Sequence, residues 1–345
     1  MTPSQAVAEL TTVGTDEAVI HDGAAVHRHA GLAPGTDQEV DGFRFHTLPE
    51  PGAHLATFAT VNDVHFGETV CGEVGGHPEV GPVFRVDDGE PPYPEVMNRA
   101  AVAEIDAIDP ALVVVKGDLT SEGTMPEYDA FLDVYARAFG DRLVYVRGNH
   151  ESWHRLAVAD QPVQVADLPG ARIVLIDTSV DGAENGAVRP EQLEELDGIA
   201  ATSDRPILLF GHHHVWDPAS AERPERYFGI VPDDSERLVE LVARRPAIIG
   251  YFAGHTHRNR VRRFAATGGV PWVEVACVKD YPGAWAEYRV HDGGVLQIVH
   301  RISTPEALAW TERTRGMFHG LYASYAFGEL ADRCFVIEHR PGTPA

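Results

Sequence analysis

Residues 143–151 read LVYVRGNHE, four apolar residues of strand length running directly into Arg147-Gly148-Asn149-His150-Glu151. A short continuous apolar run is what a strand buried on both faces requires, and polar residues at its carboxyl end lie where α/β sheets gather their functional groups. The same arrangement recurs along the chain. LATFATV (55–61) leads into Asn62-Asp63-Val64-His65, and LVVV (112–115) into Lys116-Gly117-Asp118. ILLF (207–210) leads into Gly211-His212-His213-His214, and IIGYFA (248–253) into Gly254-His255-Thr256-His257. A further apolar run, IVLI (173–176), ends at Asp177.

Between these runs lie helical patterns near 94–107, 126–139, 190–200 and 235–244, with Pro126 and Pro190 in first turns where a missing N–H does no harm. After residue 270 the pattern alternates (VPWVEVACV, WAEYRVHD, VLQIVHRI), with a turn at Asp292-Gly293-Gly294, as in hairpins. Residues 305–327 read as helix. Residues 1–52 are rich in turn formers and carry short alternating pieces at Ala18–Ile20, Ala25–His27 and Phe43–His46, closed by Pro49, Pro51 and Gly52. The expected organisation is a small β-rich segment (1–52), an α/β catalytic domain (53–303) and a C-terminal helical extension (304–345).

Composition narrows the function. With 28 Lys and Arg against 52 Asp and Glu, the formal charge is −24. That field disfavours long nucleic acid and anionic membrane, while bound cations can reverse the sign locally for a small phosphorylated substrate. Cys71, Cys277 and Cys334 have no metal-site or disulfide spacing, which suits a reducing compartment. The first ten residues lack a signal-peptide pattern, and no apolar run reaches the roughly 18 residues of a membrane span. The expected location is the cytoplasm.

Asp, Asn and His delivered by five strand ends to one crevice are the donors that hard or borderline divalent cations take. Asp63, His65, Asp118, Asn149, His255 and His257 are therefore candidate ligands. In Asp63-x-His65 and His255-x-His257, an extended backbone puts both side chains on one face, whereas a turn lets them straddle two ions. Gly117, Gly148 and Gly254 precede these ligands where a sharp turn is expected, and the Asp118 carboxylate can offer one oxygen to each of two cations. No phosphate-binding glycine loop or dinucleotide fingerprint is present.

The ordered set D-x-H, GD, GNHE, a histidine and GHxH resembles the calcineurin-like metallophosphoesterase superfamily over roughly residues 54–300. The GDLT, GNHE and histidine-cluster forms look like its bacterial cyclic-nucleotide phosphodiesterase (class III) branch and the related purple acid phosphatases. The resemblance implies an α/β fold of two mixed sheets flanked by helices and two divalent or mixed-valence transition metals (Fe, Mn or Zn). It puts Asp63, His65 and His257 on one metal and Asn149, one histidine of 212–214 and His255 on the other, with Asp118 bridging. By register with the family's His-Pro or Ser-Pro, Val215 stands at the proline position and His213 is favoured, with His212 and His214 as alternatives. His150 matches the histidine that assists the leaving group, and Asp118 and Asn149 share in catalysis. Residues 31–36 and 43–48 resemble the end of a fibronectin type III-like module.

The implied activity is hydrolysis of small phosphodiesters, 3',5'-cyclic nucleotides among them, by metal-activated water. Phosphomonoesters, phospholipid-headgroup diesters and phosphotriesters are alternatives on the same site, and a non-catalytic scaffold is a further one. A homodimer is left open. Glu151 is expected to orient a ligand or cap a helix, and Asp177 to support the site or simply end its strand. Trp153, His154 and Trp216 flank the motifs as stacking candidates for a base.

Overall fold

The computed structural model describes residues 8–73 and 77–344. Two six-stranded mixed sheets face one another. In the first the order is Leu143–Val146, Leu112–Lys116, His54–Val61, Ala284–His291, Gly294–Arg301, Cys334–Glu338, the first three parallel and the rest antiparallel. In the second it is Val163–Leu168, Ala171–Ile176, Ile207–Phe210, Ile248–Ala253, Pro271–Glu274, Arg260–Arg263, with four central parallel strands and antiparallel edges.

The strands expected from the apolar runs are all present, and most are covered on both faces, although the edge strand Leu143–Val146 is only half-buried. Inside the sandwich Phe58 stacks on Tyr288 (4.6 Å between ring centroids) and Phe210 on Phe252 (5.0 Å). Outside the first sheet Tyr93–Ala107 and Met125–Phe131 supply Met97, Ile105 and Phe131. Outside the second, Pro190–Thr202 and Pro232–Arg244 supply Leu196, Leu238 and Val242. The helix expected over 126–139 is not uniform: the turn Leu132–Ala136 is π-helical before a last turn, Arg137–Phe139.

At the N-terminal end the expected short antiparallel strands are present, whereas the C-terminal end differs from the sequence reading. Glu9–Val13, Glu17–Asp22 and Ala25–Ala30 form a three-stranded sheet, and Asp37–Val40 pairs with Phe43–His46. Their apolar residues Val13, Ala18, Phe45 and Leu48 have no core of their own and pack on Leu296, Ile298 and Cys334 of the first sheet. The C-terminal stretch is helical over Pro305–Thr314, Leu321–Phe327 and Leu330–Arg333, then closes the first sheet with the strand Cys334–Glu338. Five residues of alternating burial carry too weak a pattern to compete with the helices before them. No helix among the described residues is long and apolar enough to cross a membrane.

Candidate metal centre

The loops after Val61, Lys116, Val146, Phe210 and Ala253 meet at one edge of the sandwich, because parallel neighbours bring their carboxyl ends together. Backbone hydrogen bonds lock these loops. Asp63 N donates to Gly117 O (3.1 Å), Val64 N and His65 N both donate to Asp118 O (3.0 and 2.9 Å), and Gly254 N donates to His212 O (3.0 Å). Asp63, His65, Asp118, His255 and His257 all have left-handed backbone, φ between 45° and 69°. Non-glycine residues cluster there only when surrounding structure compels it. Both D-x-H and H-x-H are therefore turns rather than strand faces.

The glycines act in two ways. Gly117 is left-handed (φ 89°), as the motif suggested. Gly148 is extended (φ −113°), so a sharp turn is not its reason. A Cβ there would lie 2.1 Å from Asp118 Oδ1 and 2.4 Å from Asp118 N. What is needed at Gly148 is space.

The donor atoms converge. Asp63, His65, Asp118 and His257 offer atoms within 4.8 Å of one another, as do His212, His213 and His255. The two oxygens of Asp118 face different partners: Oδ1 lies 3.3 Å from His212 Nε2, and Oδ2 lies 3.4 Å from His65 Nε2. Asp63 Oδ1 is 3.5 Å from His257 Nε2.

The three consecutive histidines differ in ring orientation. His212 Nδ1 donates to Lys116 O (2.8 Å), which leaves Nε2 facing Asn149 Oδ1 (2.9 Å) and His255 Nδ1 (3.2 Å). His213 uses both nitrogens elsewhere, on Thr178 Oγ1 (2.8 Å) and Glu184 O (3.1 Å). His214 stacks over His255 at 6.0 Å. The residue turned toward Asn149 and Asp118 is thus His212, one position before the one favoured by register. The register counted back from Val215 fixes a position in the chain but not which ring turns inward, and that is set by Lys116 O, Thr178 and Glu184.

The electrostatics describe a place for cations. Burial alone would lower His212, but the Asp118 and Asp63 carboxylates raise it to about 9. Burial would raise the Asp63 carboxyl, yet His257 and His212 hold it well below the usual range. Burial likewise works against Asp118, and His212 and His150 pull it down. Both ring nitrogens of buried His65 lack a hydrogen-bond partner even though carboxylates stand near. Carboxylates, imidazoles and an amide oxygen with unfilled donor positions fit divalent cations.

Other expected residues fall nearby. His150 Nδ1 donates to Ser121 O (2.5 Å) and its ring packs edge-on to His65 at 4.4 Å. Glu151 caps its own helical turn by accepting from Gly148 N (2.7 Å) and ties that turn to Thr120 N (2.7 Å). Asp177 pairs with Arg147 (3.1 Å), so it supports the GNHE loop from the second sheet. The stacking candidates do not face the centre together: Trp216 is buried with Arg223 over its ring at 5.4 Å, and Trp153 is exposed beside His154.

The sequence reading missed a layer behind His65. Glu68 Oε2 lies 3.2 Å from His65 Nδ1, and Lys279 Nζ bonds Glu68 (2.9 Å) and Asp280 (3.2 Å). At this distance but without hydrogen-bond geometry, the Glu68 carboxylate acts on the His65 ring through its charge, raising its basicity. Glu68, three residues after His65 in one turn, was open to detection, whereas Lys279 is distant in sequence and carried no local sign. Lys116 was also passed over. It is fully buried, donates to Ala253 O (2.9 Å) across the sandwich and is lowered to about 7 by burial.

A two-sheet sandwich with carboxylate, amide and imidazole donors at the carboxyl ends of its strands defines the class of metal-dependent phosphoesterases. Residues 56–259, more than half of the chain, match the family model described as calcineurin-like phosphoesterase, and the chain belongs to that family. It is similar to the 3',5'-cyclic adenosine monophosphate phosphodiesterase CpdA of Pseudomonas aeruginosa, 26% identical over 215 residues covering 54% of this chain and 72% of the relative. It is also similar to the probable glycerophosphodiester phosphodiesterase GpdQ of Arcobacter nitrofigilis, 26% identical over 249 residues, 65% of this chain and 85% of that one. In fold it resembles a dimetal phosphatase from Danio rerio, with a TM-score of 0.56 and 16% identity over 84% of this chain and 100% of the other.

Proposed function

We propose that this chain hydrolyses small phosphodiesters with two metal cations. Asp63, His65 and His257 hold one, Asn149, His212 and His255 the other, and Asp118 serves both. The observation that carries the reading is the split of the Asp118 carboxylate, Oδ1 toward His212 and Oδ2 toward His65. One carboxylate facing two donor groups is the arrangement a shared pair of cations needs.

When bound, the cations supply Lewis-acid activation of water and neutralise charge on the phosphoryl oxygens. The chain's own residues do the rest. The hydrogen bond from His150 Nδ1 to Ser121 O holds the ring with Nε2 4.0 Å from Asp118 Oδ2; in the imidazolium form, with a proton on each nitrogen, Nε2 would donate that proton to the departing ester oxygen. Glu151 holds the turn that carries Asn149 and His150, and Glu68, paired with Lys279, stands behind His65.

Relatives named for cyclic nucleotides and for glycerophosphodiesters support small diesters, and 3',5'-cyclic nucleotides stand first among them. Donors of this type suit Fe, Mn or Zn. The three cysteines are free and buried, which accords with a reducing cytoplasm. The test is metal analysis of replete protein together with turnover of bis(p-nitrophenyl) phosphate, p-nitrophenyl phosphate and cyclic AMP. About two metals per chain and a preference for diesters are expected. One metal or none, or monoesters preferred a hundredfold, would refute it.

A further inference from the structure

The cleft over the candidate centre, about 550 Å³, has an unequal lining. Its floor is the Asp, Asn and His cluster, while much of one wall is apolar and comes from the C-terminal segment: Phe318, Leu321, Tyr322 and Tyr325. Phe228 joins them from the loop that follows the three histidines. All but Phe228 lie beyond residues 56–259, the span of the family model.

This wall is fastened to the site rather than draped across it. Tyr325 OH donates to Thr256 O (2.9 Å), between His255 and His257, and Tyr322 OH donates to Asp280 Oδ1 (2.6 Å). Asn259 N donates to Ala326 O (3.0 Å). Phe228 stacks on the His255 ring (3.9 Å, 29° between planes) and accepts through its carbonyl from His255 Nε2 (2.7 Å). Phe228 as a residue nonetheless stays 47% exposed and lines the cleft, on the side away from His255. Phe318 is kept in left-handed backbone (φ 51°), a conformation a bulky side chain adopts only under constraint.

Charge selects among occupants. Among the described residues no Lys or Arg lines the cleft, and Arg258 behind Tyr325 is paired with Glu274 (2.9 Å), so a second phosphate or a carboxylate on the substrate finds no free counter-ion in the lining. Glu184 also lines the cleft, but a cation on the aromatic wall itself is disfavoured because Arg258 already lies over the Tyr325 ring at 5.1 Å. A flat, uncharged group satisfies both conditions, and the volume lies within the range for small-molecule sites.

Building on the phosphodiesterase reading, we propose that the 317–327 segment and Phe228 form a specificity wall that selects diesters whose ester group is planar, aromatic and uncharged. A nucleobase and a simple aryl group share that chemistry. Glycerophosphodiesters, polar throughout or carrying an ammonium, do not.

Two measurements test it on the metal-replete full chain. The first is calorimetric binding of phenylphosphonate and methylphosphonate, which differ only in the ring. Phenylphosphonate should bind at least about tenfold tighter, and Phe318→Leu and Phe318→Gly should each remove most of that difference while leaving methylphosphonate within twofold. The second is kcat/KM for cyclic AMP, bis(p-nitrophenyl) phosphate, glycerophosphoethanolamine and glycerophosphocholine. The same variants should lower the first two by about tenfold and leave glycerophosphoethanolamine nearly unchanged. Loss for only one of the two aromatic substrates identifies which source the wall serves and supports the proposal. Equal binding of the two phosphonates, equal losses on all substrates, or a preference for the choline diester would overturn it. A ring preference in binding without turnover of any diester would sustain the wall and defeat the phosphodiesterase reading.

Discussion

Replacing Gly148 by alanine isolates the geometry of the shared carboxylate. The extended backbone at this residue accepts any side chain, so no conformational penalty enters. The whole effect is steric: the added methyl carbon would lie 2.1 Å from Asp118 Oδ1, where ordinary contact begins at 3.4 Å, so 3.4 − 2.1 = 1.3 Å must be made up. The second obstacle, Asp118 N at 2.4 Å, is backbone and cannot swing aside as a side chain does. Either the GNHE loop or the 117–118 turn must retreat by roughly an ångström. A misplacement of about 1 Å at reacting groups costs on the order of 10²-fold in rate. We expect kcat/KM on bis(p-nitrophenyl) phosphate to fall about 10²-fold or more, with metal content below that of the wild type. Circular dichroism and thermal melting should still report a folded protein, since the clash is confined to loops at the sheet edge. Activity within threefold of wild type at full metal content would refute the placement of the Asp118 oxygens.

Three further outcomes follow from the site and its surroundings. His212→Ala should lose at least one metal and nearly all activity, whereas His213→Ala should keep its metals and lose stability instead; the reverse pattern in metal analysis would return the ligand to His213. His150→Ala should retain both metals and slow turnover by roughly 10²–10⁴-fold on poor leaving groups, less on nitrophenyl esters; equal losses on both would remove His150 from leaving-group assistance. His21, which bonds Thr11 Oγ1 (2.8 Å) and Ser303 Oγ (3.1 Å), is lowered to about 3 by burial and by Arg301 and Arg28. Between that value and about 6.5 the unfolded chain binds a proton that the folded one refuses, so the contribution is complete above pH 6.5 and declines by at most about 1.4 kcal/mol per unit below it. Melting curves from pH 7 to 5 should separate wild type from His21→Asn, whose slope should be shallower; identical slopes would count against it.

Much of this architecture could be read from residues alone, for a specific reason. Strands such as Leu112–Lys116 and Ile207–Phe210 are buried on both faces, so their apolar runs are unbroken and their ends are marked by glycine and donors. Two edge strands escape that logic, although the edge strand Leu143–Val146 does not. Val163–Leu168 is half-exposed and was not expected, and Cys334–Glu338 was absorbed into a helical tail. Within the site, that Asp63, His65, Asp118, His255 and His257 converge was legible, because each directly follows a buried strand of the sandwich. The choice among His212, His213 and His214 was not, because it depends on ring rotations set by Lys116 O, Thr178 and Glu184, each distant in sequence. The aromatic wall was illegible for the same reason. Tyr322 and Tyr325 read as an ordinary helix face until Asp280 and Thr256 are found to hold them.

The left-handed backbone at Asp63, His65, Asp118, His255 and His257 bears on how such a sequence persists through generations. Each position costs on the order of 1 kcal/mol or more against a residue at ease there. Glycine or asparagine at any one of them would relax the loop and yield a hardier but inert chain. Random change therefore pushes this edge of the molecule toward exactly the residues that silence it, and only purifying selection on turnover opposes that drift. In a lineage released from that selection, these five positions should be among the first to erode, well before the apolar strands behind them.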